Sequence, residues 1–280
     1  MVKTRPQLVF ATFITSGLAL VISIVAFGTD QWLRSGVNIG TNLDNRVNYG
    51  LFVGSYSRRT LGEAEYSLSI TCDFGQNKCA MLCGTSAIRS SYLQLLFAGD
   101  QTDGYIACAQ RSGRAQTPDA ITEVHIRADE DDTMPDGFIN CGVWISTVLF
   151  LAISCVFGVV STVLAIWNTV ANPVETFLST TGLFFYNCVA CGFSLVSMLL
   201  WGIHFSMVLA DSAGIHDTIS EMGNSEGQGS LGYSYWLVLI GILGYIASAV
   251  ILAVRQYLID KEPDTIVNIE DNNDNTIILF

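Results

Sequence analysis

The eight cysteines are the residues of this chain with the most chemistry open to them. Cys72, Cys79, Cys83 and Cys108 fall between two apolar runs, Cys141 stands at the edge of the second, and Cys155, Cys188 and Cys191 lie inside apolar runs. Thiols so placed could ligate a metal, form bridges or shuttle electrons. The Cys79-x3-Cys83 spacing hints at a metal, but no histidine or second pair follows closely. The four therefore read as two disulfides, whose connectivity the sequence leaves open. Cys188 and Cys191 share a helical face and read as small packing residues despite their C-x-x-C form. His204 stands alone near the end of an apolar run and reads as packed or interfacial. No Ser-His-Asp set, HExxH motif or Gly-rich phosphate loop is found, and "DNNDN" at Asp271 to Asn275 lacks the glycine and glutamate of a calcium loop. These residues point to no enzyme, no cofactor and no metal.

Hydropathy supplies the elements that must position the cysteines. Half of the 280 residues are hydrophobic and 14% are charged, and the mean hydropathy is +0.44. A soluble chain of this size is rarely so apolar. Four runs reach the ~20 residues a helix needs to cross a bilayer: Leu8–Phe27, Val143–Trp167, Gly182–Ala210 and Tyr235–Val254. None contains Lys, Arg, Asp or Glu in its interior. The expected fold is an all-α membrane protein, a four-helix transmembrane bundle.

The expected segments are an N-terminus over 1–7, spans over 8–28, 142–167, 182–210 and 234–254, and outer loops over 29–141 and 211–233. An inner loop over 168–181 and an acidic tail over 255–280 complete the chain. Lys3, Arg5, Arg255 and Lys261 flank the outer two spans and place both termini in the cytoplasm, in a multi-pass plasma-membrane protein. A cleaved signal peptide is the rival reading of the first run, and it leaves the loops on the same sides. Trp32, Trp144, Trp167 and Trp236 fall near span edges, where an indole can anchor in the interface with its N–H wet.

The first outer loop is expected to be partly β. "YGLFVGSY" and "EYSLSITC" alternate aromatic and β-branched residues, with glycine at turns. "SAIRSSYLQLLFAG" is expected to form an amphipathic helix over the membrane face. Arg111 to Gly137, with "TPDA" and "MPDG", reads as a mobile stretch. Pro173 stops a helix and Glu175 suits the start of the third span. Gly244 with Ser248, and Cys188 with Gly192, are small-xxx-small pairs that allow close helix approach. The net charge of −12 resides in the loops and tail. It argues against nucleic acid as a partner. The expected partners are membrane lipids, other membrane proteins laterally, and a PDZ domain. The last is suggested by "TIILF", whose Ile278 and Phe280 could add as a strand with the carboxylate captured by backbone amides. The alternative is an unstructured tail that ends apolar.

The chain resembles a known family. Four spans, a long cysteine-bearing first outer loop, and Trp32 followed by Gly50, Leu51 and Phe52 resemble the claudin superfamily. "GTDQW" at Gly28 to Trp32, "YGLFVG" at Tyr49 to Gly54 and "NPVETFLSTTGLF" at Asn172 to Phe184 resemble the clarins within it. So do "IHDTISEM" at Ile215 to Met222 and "YSYWLVLI" at Tyr233 to Ile240, as does the apolar C-terminus. The resemblance implies a claudin-like bundle and a non-enzymatic role in organising membrane and cytoskeletal structure, often in sensory cells. Claudin-like adhesion or barrier formation, and service as an auxiliary channel subunit, are the alternatives. Departures are a longer outer loop, no Asn-x-Ser/Thr acceptor in either outer loop, and a first loop cysteine, Cys72, some twenty residues past Gly50 to Phe52. They put a claudin-type disulfide register in doubt and suit a divergent, invertebrate member.

Overall fold

The computed structural model describes residues 6–39, 43–58, 64–98, 106–108, 122–124, 138–170, 176–210 and 229–261. Four helices in it are long and apolar enough to cross a membrane. They are α1 (Pro6–Gly28), α3 (Cys141–Val170), α4 (Thr180–His204) and α5 (Tyr233–Asp260). α4 runs on as a π-helical turn, Phe205–Leu209. α1 packs against α3 and α5, and α4 packs against α3 and α5, which closes a four-helix ring.

Unlike a water-soluble bundle, this one carries apolar side chains on its outer face as well as in its core, where hydroxyls join Leu151, Leu183 and Val238. Thr12, Ser16, Ser23, Ser154, Ser161, Ser194 and Ser248 are buried, while Leu18, Val156, Leu199 and Leu243 are exposed. Lipid offers apolar side chains what a core would, so small residues and hydroxyls take the interior and let backbones approach. Ser154 Oγ meets Ser194 Oγ at 2.6 Å between α3 and α4. Thr15 Oγ1 meets Ser248 Oγ at 2.7 Å between α1 and α5.

One end of the bundle carries a sheet. Strands β1 (Leu33–Ile39), β2 (Leu43–Tyr49), β3 (Val53–Arg58), β4 (Ala64–Asp73) and β5 (Lys78–Leu82) form an antiparallel meander. β8 (Ile139–Asn140) closes one edge beside β5, and β9 (Gly229–Leu231) the other beside β1. The order is β8-β5-β4-β3-β2-β1-β9. Helix α2 (Ser86–Ala98) lies against β4, and β6 (Ile106–Cys108) pairs with β7 (Thr122–Val124). The sheet is larger than the two predicted strand segments. It also recruits β9 from the second predicted outer loop, because that short segment is tethered at the head of α5 beside β1.

One expectation gains detail and one needs correction. The helices overrun the predicted spans, most clearly at α5, which continues through Arg255 to Asp260. A helix need not stop at the hydrocarbon edge, and Arg255 folds back to donate to Thr180 Oγ1 at 3.3 Å. Trp32 is not an interfacial anchor with a wet N–H, since it is fully buried. Trp167 and Trp236 do stay exposed at the helix ends. Of the small-residue pairs, Gly244 and Ser248 pack on α1, while Gly192 has open space where a side chain would stand and Cys188 is exposed. Pro173 and Glu175 lie outside the described residues, and Ser179 is the residue that caps α4, accepting from the Thr181 N–H.

Candidate functional site

The site is a collar where the sheet meets the bundle, and its geometry follows from backbone groups that helix ends leave unpaired. At α1 the problem is acceptors. Past Gly28 the chain turns, the Thr29 N–H reaches the Val25 carbonyl at 3.1 Å, and the Trp32 indole N–H returns to the Ala26 carbonyl at 2.7 Å. The Trp32 ring then stands edge-on to Trp201 of α4, centroids 5.7 Å apart. Its backbone N–H donates to Tyr49 and its carbonyl accepts from Gly232. One residue thus ties α1, α4, β2 and the entry to α5.

Gly50, Leu51 and Phe52 form the connection from β2 to β3. Gly50 donates its N–H to the Val53 carbonyl at 2.8 Å. Its Cα faces Thr29 and Asp30 so closely that no side chain fits. Leu51 is buried, and its carbonyl accepts from the Trp144 indole N–H of α3 at 2.7 Å. The Phe52 ring meets Phe27 edge-on at 5.1 Å and Trp144 at 6.5 Å. The predicted Trp32–Gly50–Leu51–Phe52 set is therefore brought together at one place.

At α3 the problem is donors, and each of the first four is met. The Asn140 N–H donates to His204 Nε2 at 3.2 Å. The Cys141 N–H donates to the Asn77 carbonyl at 3.1 Å, and the Gly142 N–H to Asn77 Oδ1 at 2.9 Å. The Val143 N–H donates to Asn140 Oδ1 at 3.1 Å. Asn140 is the N-cap. Asn77 ends the β4–β5 turn with φ of 55°, a left-handed conformation asparagine tolerates better than most residues. His204 is buried and acts as an acceptor here, which puts its ring proton on Nδ1. It is a packed residue, as its isolation in the sequence implied.

On the far side of the collar Thr29 Oγ1 meets Ser234 Oγ at 2.6 Å, and the Ser234 N–H donates to the Gln31 carbonyl at 3.0 Å. Sequence reasoning missed Asn77, Asn140, Trp201, Gly232 and Ser234. Their signals were present only as loose pattern: a polar residue just before a helix at Asn140, and glycine and serine bracketing Tyr233.

Among the cysteines, Cys72 and Cys79 are bonded across β4 and β5. Cys83 is also in a disulfide and is buried. Cys108 falls in β6, with its side chain outside the described residues. Cys141, Cys155, Cys188 and Cys191 are free. Cys79 and Cys83 are thus not a ligand pair. Ile278 and Phe280 lie outside the described residues, as does Ile215 to Met222.

No protein-family model matches the chain. Human clarin-3 is 30% identical over 113 residues, covering 39% of this chain and 49% of that protein. Mouse clarin-3 is 30% identical over 114 residues, covering 39% and 48%. The chain spans about half the length of the curated relatives it matches. With four helices able to cross a membrane, the chain is a clarin-like multi-pass membrane protein, and its similarity to the clarins is distant and partial.

Proposed function

We propose that this protein is a non-enzymatic organiser of membrane and cytoskeletal structure at the plasma membrane, with sensory cells as one setting. Its sheet would be an extracellular recognition platform and its tail a cytoplasmic tether. The observation that carries this reading is the junction of both loops in one sheet, β9 on β1, with that sheet bonded to the bundle through Trp32 and Trp144. Such a platform transmits a lateral or outer contact directly to the helices. No described cluster offers a nucleophile with a base and orienter in reach, so binding is the better account.

Two observations support the proposed orientation. The Cys72–Cys79 bridge suits an oxidising space. Arg255 and Lys261 lie at the opposite end of α5 from the sheet, as the cytoplasmic flank of a span should. Where Phe280 carries the free carboxylate, Ile278 and Phe280 would add to the edge of a PDZ domain. Membrane lipids and other membrane proteins would meet the apolar outer faces of the helices.

The test is localisation of the chain tagged within residues 211–228, beside a copy lacking Ile277 to Phe280. Detection of the tag on unpermeabilised cells checks orientation. Concentration of the intact chain in actin-rich protrusions or discrete patches, lost in the truncation, is the expected result. Equal lining of cell–cell borders by both would replace this reading with adhesion. Co-purification of a channel whose gating depends on this chain would replace it with an auxiliary-subunit role.

A further inference from the structure

Three sulfur atoms meet where the β4–β5 hairpin abuts the start of α3. Cys72 and Cys79 are bonded, Cys141 is a buried free thiol, and the three Sγ atoms lie within 4.8 Å of one another. Strand register explains the meeting. Cys79 stands opposite Cys72 on one side and opposite Ile139 on the other. The Asn77 carbonyl takes the Cys141 N–H, which draws Cys141 alongside. Cys79 is therefore central, with a candidate sulfur partner on each flank.

The two flanking cysteines differ in access. Cys141 is 2% exposed. Cys72 is half-buried and lines a cleft of about 280 Å³ with Asp73, Phe74, Ser90 and Leu93. A thiol at Cys72 would open onto that cleft, between the hairpin turn and α2.

We infer that Cys72, Cys79 and Cys141 form a thiol–disulfide exchange site whose product presents the Cys72 thiol to this cleft. The Cys141 thiolate attacks Sγ of Cys79, and the proton that Cys141 loses is balanced by the one that Cys72 takes up. The Cys79–Cys141 bond forms as the Cys72–Cys79 bond breaks. Cys72 leaves with the bonding electrons as a thiolate and takes up a proton. The three sulfurs exchange one bond with no outside oxidant or reductant. Attack on Cys72 instead would release Cys79, which is fully buried and has no outlet. The ligand class is a small thiol-reactive molecule able to enter the cleft.

The test uses the full chain in lipid nanodiscs with N-ethylmaleimide as the probe, followed by peptide mapping without reduction. The expected result is a Cys79–Cys141 peptide accumulating together with alkylated Cys72, faster at mildly alkaline than at mildly acid pH because the thiolate is the attacking species. Cys141→Ser is expected to lower Cys72 alkylation at least about tenfold, since among the described residues no other free thiol is grouped with the Cys72–Cys79 bridge. An intact Cys72–Cys79 bridge throughout overturns the inference, as does equal Cys72 labelling in Cys141→Ser. Cys72→Ser gives a second reading that leaves the buried position untouched. Given a small disulfide that takes up the two electrons, it should acquire the Cys79–Cys141 bridge, and two free thiols there after that treatment would overturn the inference.

Discussion

The indole N–H of Trp144 donates to the carbonyl of Leu51 across 2.7 Å. This bond joins the first turn of α3 to a loop ninety-three residues earlier in the chain. Leu51 is 1% exposed, so its carbonyl has no water to turn to. Phe52 lies edge-on to Trp144 on one side and to Phe27 on the other, which links α3 to α1 through the loop.

Trp144→Phe is expected to destabilise the protein by about 1–3 kcal/mol, the cost of leaving a buried acceptor unmet. The smaller ring keeps part of the contact with Phe52, so the loss reports mainly the hydrogen bond. Trp236→Phe is the control, because that ring is half exposed and should cost within about 0.5 kcal/mol. Thermal unfolding of the two variants in detergent measures the difference. Equal midpoints would show that Trp144 only packs.

Gly50 tests the collar by exclusion. A methyl group there would stand 2.5 Å from the Thr29 carbonyl oxygen, 2.7 Å from Asp30 Cα and 2.8 Å from the Val53 carbonyl oxygen. All three are backbone atoms, so no rotamer change relieves the contact. Gly50→Ala should cost more than about 3 kcal/mol, above the range of most point mutations, and should sharply lower the amount of mature protein. Gly192→Ala meets open space and should be neutral or gain up to about 1 kcal/mol from helix propensity. Matching yields of the two variants would refute the packing argument.

The spans were legible because charge-free runs of sufficient length admit few other structures. The set of Trp32, Gly50, Leu51 and Phe52 was legible through resemblance, and the structure supplies its physics. Trp32 shows where pattern misled. An indole just past a span edge is commonly interfacial, but here Tyr49, Gly232 and Trp201 enclose it, and all three are distant in sequence. Asn77 and the acceptor role of His204 were beyond reach for the same reason. Their role is to satisfy the start of α3, and a cap supplied from across the fold leaves no mark at fixed spacing. β9 was missed because three residues carry no alternation that a reader could count.

The bridges can be checked directly. Peptide mapping without reduction, on protein alkylated at acid pH to halt exchange, is expected to find Cys83 in a disulfide and not as a free thiol. The sequence reading of two disulfides from four loop cysteines leaves Cys108 as its mate. Zinc added to the folded chain should not protect Cys79 or Cys83 from any reagent, since both are already bonded. A free, alkylated Cys83 would remove the second bridge and reopen the metal reading of Cys79-x3-Cys83.

The α1–α5 seam sets a hydrogen bond against close packing in one place. Ser248 Oγ meets Thr15 Oγ1 at 2.7 Å, and it also donates to the Gly244 carbonyl at 3.0 Å. Hydrogen bonds between membrane helices average about 0.6 kcal/mol by double-mutant cycles, with a maximum of about 1.7. Ser248→Ala should therefore be mild, because the freed Thr15 hydroxyl can donate to the Ala11 carbonyl at 3.1 Å instead. Gly244 is the larger lever. A Cβ there would stand 2.8 Å from Ala19 Cβ, so Gly244→Leu must push α1 away along its buried face. Overpacking of that kind costs about 1–3 kcal/mol and occasionally more. It also acts at the collar, because Ala26 in the last turn of the same helix offers the carbonyl that Trp32 holds. The expected order of unfolding midpoints is wild type, then Ser248→Ala close below, then Gly244→Leu well below. The reverse order would mean that the hydroxyl pair, and not the approach of the two backbones, holds α1 against α5.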